Sequence, residues 1–437
     1  MCGIFGIYSN QVGEKCWFGN YFNQHRGQRY GGIAIASGNK ICYVSHRGRM
    51  DHKFPITEAQ SIRGELGISH VSLKDRQPYA LIAGFGQFAL GFDGRIINIQ
   101  ELIDEMGRNG RSISLEQSTV EVIARLIGEG KDVVDGIKKM NDKIKGSFSL
   151  VILTPNEIFI ARDSYGFRPL ILGQDNDVFA VSSESRALQN LNLEIFRDVK
   201  PGEIINLNRY GFETVGQLPV KRVAHCAFEW AYIASIDSII DGIPVITVRH
   251  RLGEKLAKRD NDQFRADFCS PIPMSGIGHC EGYSLASGLT NSGSWLYNRY
   301  ADRSYTPLEQ TERDWLASVK LSVMKAIVKN KKIVIVDDSI VRGTQIREQI
   351  KRLKIAGAQK IHLRIACPPL MSPCDFSIST MSYQELIATS KSIQQICEFV
   401  GADSLVYNTL DDFVSAIGLP ADQLCLKCWT NKSPLAA

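Results

Sequence analysis

Two adjacent carboxylates, Asp337 and Asp338, follow the β-branched run Ile333 to Val336 and precede a short loop that ends in glycine. Such a run is typical of a strand that is buried on both faces of a parallel sheet. After the loop 339–343, apolar residues at helical spacing predict a helix over 345–355. Backbone N–H groups of the loop and the helix N-terminus would converge on a phosphate. The acids beside it can hold sugar hydroxyls or a divalent cation. Helix capping by Asp and Ser would explain the same residues without a ligand.

Position 2 holds a second residue whose side chain could take part in catalysis. The chain begins MCGIFGIY, so removal of the initiator Met would leave Cys2 with both a thiol and a free α-amine. A nucleophile of this kind needs no separate histidine, because its own amine, with a pKa of roughly 7.7 to 8.0, can relay the thiol proton. By itself, a cysteine at this position can equally be incidental.

Length and hydrophobic rhythm predict two domains, 2–224 and 225–437, that position these groups. In the first part, short apolar runs alternate with turns, which predicts stacked antiparallel sheets with a few helices. The runs are 31–36, 81–90, 148–153 and 158–161, with a helix over 120–127. From Val334 onward, strands and helices alternate, as in a parallel sheet flanked by helices. The elements expected there are strands over 361–366 and 404–407 and helices over 393–400 and 410–417.

Composition and charge limit the classes of protein that this sequence can represent. Charged residues make up 22% of the chain and apolar residues 44%, as in an ordinary globular protein. We find no run of 18 apolar residues and no basic segment followed by an apolar core at the N-terminus, so we expect a cytoplasmic protein without a membrane span. The net charge of +5 is unclustered, which gives no case for nucleic-acid binding.

Both ends of the chain resemble one family. The string DDSIVRGT is similar to the phosphoribosyl pyrophosphate (PRPP) signature of type I phosphoribosyltransferases, in the form found in glutamine PRPP amidotransferases (amidophosphoribosyltransferases). The segments CGIFGI, HRGQRYGGIA, ARDSYGFRPL, SSES and RDVKPGE resemble the glutaminase half of that family, in the same order. The resemblance implies an N-terminal nucleophile hydrolase fold followed by a type I phosphoribosyltransferase fold. It also implies a glycosyltransferase of purine biosynthesis that moves ammonia from glutamine to PRPP, and we expect a homo-oligomer.

The family motifs imply a role for individual residues. Cys2 is the nucleophile, and Asp93 and Gly94 stand at the oxyanion position. The glutamine pocket takes Arg26, Gly27, Ser72 and Thr119. The PRPP site takes Asp337, Asp338, Ser339, Ile340, Val341, Arg342, Gly343 and Thr344, together with Arg303 and Lys320. Magnesium is expected at Ser275, Asp337 and Asp338.

Cysteine spacing suggests a metal centre. Cys425 and Cys428 form a CxxC pair, which alone is a modest signal. Cys226 and Cys374 stand where one subgroup of the family places two further ligands. Four thiolates would satisfy a [4Fe-4S] cluster, and four-thiolate zinc is the alternative on chemistry alone. The family resemblance favours iron.

The departures from the family concentrate in the glutamine pocket. Ser72 replaces the arginine that holds the glutamine α-carboxylate, and a hydroxyl cannot supply its bidentate grip, although Lys74 or Arg76 are basic groups nearby in sequence. Asp93 replaces the oxyanion-hole asparagine, and an ionised carboxylate would repel the developing oxyanion. Thr119 replaces the aspartate that binds the α-amine.

Three hypotheses therefore stay open. In the first, glutamine is still cleaved through substitute contacts and its ammonia is transferred to PRPP. In the second, the front pocket is inactive or repurposed, and the transferase half uses free ammonia or another nucleophile. In the third, the chain is a PRPP-binding regulatory protein, because Met274 and Tyr297 depart from the family in the transferase half as well.

Overall fold

A computed structural model describes residues 2–114, 118–260, 264–298, 321–377, 380 and 382–436 of the protein. Among these residues, no helix combines the length and apolar character that crossing a membrane requires. The predicted PRPP contacts Arg303 and Lys320 lie outside the described residues.

Two antiparallel sheets fill the first half of the chain. The seven-stranded sheet has the spatial order Glu194–Asp198, Ile171–Asp175, Val178–Ser182, Cys2–Tyr8, Leu66–Ser72, Tyr30–Ser37 and Lys40–Arg47. The six-stranded sheet has the order Gly211–Gln217, Glu203–Asn208, Ile158–Arg162, Gly146–Leu153, Gly86–Ile96 and Tyr79–Ala83. Buried apolar side chains from both sheets, among them Ile4, Ile68, Val151 and Ile160, form one core between them. The sheets are therefore stacked face to face, as the alternating pattern predicts.

Helices cover the outer faces of the two sheets. Val12–Phe22 packs on the seven-stranded sheet, where Cys16 joins the core of Phe5 and Ile33. Ile99–Arg108, Thr119–Ile127 and Val133–Lys143 cover the six-stranded sheet. Shorter helices span Met50–Lys53, Ile56–Ser61 and Ser185–Asn190.

A four-stranded parallel sheet forms the second half. Its order is Phe268–Pro271, Lys332–Asp337, Lys360–Ile365 and Ser404–Tyr407. The central strand alternates between two cores, because Val334 and Val336 belong to one and Ile333 and Ile335 to the other. Burial on both faces explains its unbroken β-branched sequence. The surrounding helices are Val245–Lys258, Ile277–Ser287, Lys325–Val328, Thr344–Ile355, Ile393–Val400, Leu410–Ile417 and Lys427–Thr430.

Three short strand pairings complete the sheet structure of the described residues: His225–Cys226 with Leu424–Cys425, Ile239–Ile240 with Ile243–Pro244, and Trp295–Tyr297 with Leu321–Val323.

The predicted architecture of stacked antiparallel sheets followed by a parallel sheet is confirmed. The predicted single run over 81–90 is wrong, because Gly84 and Phe85 form a turn between the strands Tyr79–Ala83 and Gly86–Ile96. All strands of the two large antiparallel sheets end by Gln217, and the first strand of the parallel sheet begins at Phe268. We keep the division near Ala224 as a proposal that is compatible with these positions.

Candidate functional site

The acidic loop lies at the carboxyl end of the central parallel strand. That strand ends at Asp337, and helix Thr344–Ile355 begins after Gly343, which has φ of +76°. A left-handed residue at the helix start favours glycine, since side chains are strained there. Ile340 is buried, and the Val341 carbonyl accepts a hydrogen bond from the Ile387 N–H at 2.9 Å. The loop is thus anchored by its apolar residues.

The two carboxylates of this loop are both buried. Asp337 Oδ1 accepts hydrogen bonds from Ser275 Oγ at 2.6 Å and from the Asp338 N–H at 2.9 Å, and the Ser339 hydroxyl donates to Asp338. Burial and the neighbouring carboxylate raise the pKa of Asp337, and burial raises the pKa of Asp338. A divalent cation would relieve this repulsion. A hydroxyl and two carboxylates are the hard oxygen ligands that Mg²⁺ prefers, so these residues fit the expected ion.

The predicted front nucleophile lies in the middle of the seven-stranded sheet. Strand Cys2–Tyr8 pairs on one side with Leu66–Ser72, and Cys2 lies opposite Ser72. Gly27 approaches this pair closely, because a Cβ at Gly27 would lie 2.5 Å from the Ser72 nitrogen. Only glycine therefore fits there. Burial raises the pKa of the Cys2 thiol to about 12, so the thiolate needs a base.

Asp93 contacts the Cys2 nitrogen instead of facing a free oxyanion position. The Cys2 N–H donates to Asp93 Oδ1 at 2.9 Å, and the Cys2 carbonyl accepts from Arg26 Nε at 3.0 Å. Burial raises the pKa of the Asp93 carboxyl, but Arg168, Arg26 and the Cys2 N–H outweigh it, and the net pKa lies below the ordinary value. Asp93 is thus ionised. Gly94 follows in a strand where a Cβ would lie 2.1 Å from the Ser147 carbonyl oxygen.

The three residues that replace family contacts have other partners or positions. The Ser72 hydroxyl is buried and donates to the Asp75 carbonyl. Thr119 is the first residue of helix Thr119–Ile127, after the capping Ser118. The Arg76 guanidinium lies 5.8 Å from the centre of the Tyr30 ring.

A buried charge cluster behind Cys2 joins the two halves of the chain. Arg26 donates to Glu184 at 2.7 Å and to both carboxylate oxygens of Glu229 at 2.9 and 3.0 Å. Arg168 donates to Glu229 at 2.7 Å, and His25 contacts Glu184 at 2.7 Å. The Arg26 guanidinium therefore forms its ion pairs with the acids of this cluster. The sequence motifs contain His25, Arg26, Arg168 and Glu184 but not Glu229, and they do not indicate which acid pairs with which base.

The four predicted cluster ligands converge at one place. Cys226 and Cys425 are direct neighbours in the short parallel pairing. A hydrogen bond from Cys428 lowers the pKa of the Cys374 thiol, and the Arg95 guanidinium donates to the Cys374 carbonyl at 2.8 Å. Within the described part of the chain, no three Cys, His, Asp or Glu side chains are grouped closely enough to hold a single metal ion. By the chemistry of the donors, four thiols that border two apolar cores fit an iron–sulfur cluster.

Comparisons with known proteins agree across the whole chain. A family model described as a glutamine amidotransferase domain matches residues 65–190. The amidophosphoribosyltransferase of Methanocaldococcus jannaschii is 37% identical over 99% of this chain and 98% of its own length. That of Bacillus subtilis is 32% identical over 99% of this chain and 94% of its own. The solved structure of the B. subtilis glutamine PRPP amidotransferase complexed with ADP and GMP matches with a TM-score of 0.91, 32% identity and coverage of 99% of this chain and 97% of that one.

Proposed function

The chain belongs to the amidophosphoribosyltransferase family, and from this premise we propose that it transfers ammonia to C1 of PRPP, giving 5-phosphoribosylamine and pyrophosphate. The observation that carries the proposal is the buried pair Asp337 and Asp338 beside the loop that opens helix Thr344–Ile355. Amidophosphoribosyltransferases match nearly the full length of this chain, which supports the proposed role in purine biosynthesis. The homo-oligomer stays a prediction from the family resemblance.

Each part of the loop has a separate task in this proposal. The backbone N–H groups of 339–343 and the helix N-terminus hold the 5′-phosphate, because a loop that opens a helix presents N–H donors and positive potential to an anion. Asp337 and Asp338 accept hydrogen bonds from the ribose hydroxyls. Ser275, Asp337 and Asp338 would hold Mg²⁺, which when bound would supply positive charge for the departing pyrophosphate. The family resemblance assigns Arg303 and Lys320 to PRPP binding as well.

Calorimetry with PRPP and Mg²⁺ tests the site. The double variant Asp337→Asn and Asp338→Asn should bind PRPP at least ~10-fold more weakly, since each charge-assisted hydrogen bond contributes about 1.5 to 3 kcal/mol. The matched control removes two exposed carboxylates, Asp411→Asn and Asp422→Asn, and should bind as the wild type does. Unchanged affinity in the first variant would refute the site assignment.

We propose free ammonia as the better nitrogen donor. Three contacts that glutamine uses in the family are replaced at Ser72, Asp93 and Thr119. A charge-assisted bond contributes about 1.5 to 3 kcal/mol and an oxyanion donor about 2.7 to 4 kcal/mol. Their loss should lower kcat/KM for glutamine by several powers of ten. The buried Ser72 hydroxyl, which already donates to Asp75, supports this proposal.

We further propose a [4Fe-4S] cluster on Cys226, Cys374, Cys425 and Cys428. Such a cluster would fix the end of the chain to the segment that follows the front sheets, because Cys425 lies beside Cys226.

A further inference from the structure

The carboxylate of Asp93 is positioned for a ligand with several N–H donors. Its Oδ1 accepts from the Cys2 nitrogen at 2.9 Å. Its Oδ2 is buried and has no hydrogen-bond partner among the described residues, and it lies 3.6 Å from Arg26 Nη2. Once Met1 is removed, the Cys2 nitrogen becomes an ammonium with three donors where an amide has one. The second oxygen of Asp93 thus has acceptor capacity that the described residues leave unused.

Charge balance in the buried cluster supports this assignment. Two guanidiniums, of Arg26 and Arg168, face three buried carboxylates, of Asp93, Glu184 and Glu229. The buried Arg249 guanidinium also acts on Glu184, but more strongly on Asp338, and its hydrogen bonds go to the Trp230 and Ala234 carbonyls. Among the five paired groups one negative charge is in excess, and an unpaired buried charge is costly. The partly exposed His25 contacts Glu184, which pairs with Nη1 of Arg26, whereas Asp93 lies near Nη2. After removal of Met1, the α-ammonium of Cys2 would supply the missing positive charge beside Asp93.

We infer that Asp93 seats the α-ammonium of Cys2 and thereby holds the front nucleophile in a protonated resting form. The inference rests on the proposed function only in taking Cys2 as the front nucleophile. In this state the amine has no lone pair with which to accept the thiol proton, so the usual relay of an N-terminal nucleophile is blocked. Asp93 is then a positioning residue that sets which nitrogen donor the enzyme uses, in addition to being an unsuitable oxyanion neighbour.

Other titratable groups around the ammonium do not cancel this effect. Burial lowers the pKa of His70 to about 4, so its imidazole is neutral near pH 7. Asp75 is a further negative charge that acts on Cys2. Arg26 and Arg168 oppose the ammonium, but Glu184 and Glu229 pair with them directly. An opposite charge in contact shifts a pKa by about 1 to 3 units.

Competitive labelling with acetic anhydride measures the α-amine directly. Intact mass first shows whether Met1 is removed, and retained Met1 would overturn the inference. The full-length protein is then labelled briefly at a series of pH values, and acetylation of the Cys2 peptide is quantified by mass spectrometry. We expect the midpoint of acetylation against pH to lie at least ~1 pH unit above the ordinary pKa of an α-amine, 7.7 to 8.0. A wild-type midpoint at or below 8 overturns the inference, whether or not any variant folds.

The variant Asp93→Asn tests whether the Asp93 carboxylate causes the raised pKa of the Cys2 α-amine. It should return the midpoint toward the ordinary value and raise acetylation at pH 7.5 by ~10-fold, and an unchanged midpoint would overturn the inference. Asp104→Asn removes an exposed carboxylate from helix Ile99–Arg108 and should leave the midpoint unchanged. Pyrophosphate release from PRPP, measured separately, reports on the transferase proposal, so the two can fail independently.

Discussion

Replacing Glu229 with Gln should lower the free energy of unfolding by about 3 to 5 kcal/mol, the usual cost of breaking a buried ion pair from one side. Glu229 accepts three hydrogen bonds of 2.7 to 3.0 Å from Arg26 and Arg168, and all three side chains are at most 2% exposed. Arg26 keeps Glu184 as a partner. Arg168 loses its ion pair and keeps the Phe376 carbonyl. Its uncompensated charge is the main source of the loss.

Urea unfolding followed by intrinsic fluorescence measures this change, and the buried Trp230 lies next to the mutated residue. The matched control is Glu254→Gln, which breaks an exposed pair with Lys258 one helical turn away. Exposed pairs of this kind contribute about 0.3 to 0.5 kcal/mol. A loss below ~1 kcal/mol in Glu229→Gln, or equal losses in both variants, would refute the view that this cluster joins the two halves.

Three further predictions test other parts of the structure. Burial lowers the pKa of His70 to about 4, so the stability that its neutral imidazole gives above pH 6.5 should be lost as the pH falls toward 4. In urea unfolding, the free energy of unfolding should fall over this pH range by up to ~3 kcal/mol more in the wild type than in His70→Gln. Anaerobically purified protein should be brown with about four irons per chain, and Cys428→Ser should lose both the colour and several degrees of thermal stability, while Cys42→Ser, at an exposed thiol, should not; zinc without iron in metal analysis would contradict this. Gly27→Ala should destabilise by more than ~2 kcal/mol, because its Cβ would meet the backbone of Ser72; Gly107→Ala, in open space on a helix, should be neutral or stabilising by up to ~1 kcal/mol.

The local sequence pattern was sufficient to predict the bounds of elements that are strongly periodic. The helices Ile393–Val400 and Leu410–Ile417 and the strand Ser404–Tyr407 have the predicted bounds. The run over 81–90 failed because apolar residues on both sides hide the turn at Gly84 and Phe85. Periodicity carries no information about a two-residue turn when its second residue is itself apolar.

Partners in the candidate site could not be read from the sequence in the same way. Asp93 is recognisable as a departure from the family motif, but its hydrogen bond to the Cys2 nitrogen spans 91 residues. The pairing of Arg26 with Glu229 spans 203 residues. Both contacts depend on how sheets and loops meet in three dimensions, which spacing along the chain does not encode. The convergence of the cysteines was predictable only through the family resemblance.

The most direct measurement of the central claim supplies PRPP and Mg²⁺ with either ammonium or glutamine and quantifies pyrophosphate and glutamate separately. We expect pyrophosphate release with ammonium, at least ~100-fold less per unit of donor with glutamine, and an ammonium-dependent rate that survives in Cys2→Ala. No pyrophosphate with either donor would contradict the transferase function. Rapid glutamate formation at low glutamine concentration, abolished in Cys2→Ala, would contradict the account of the front pocket.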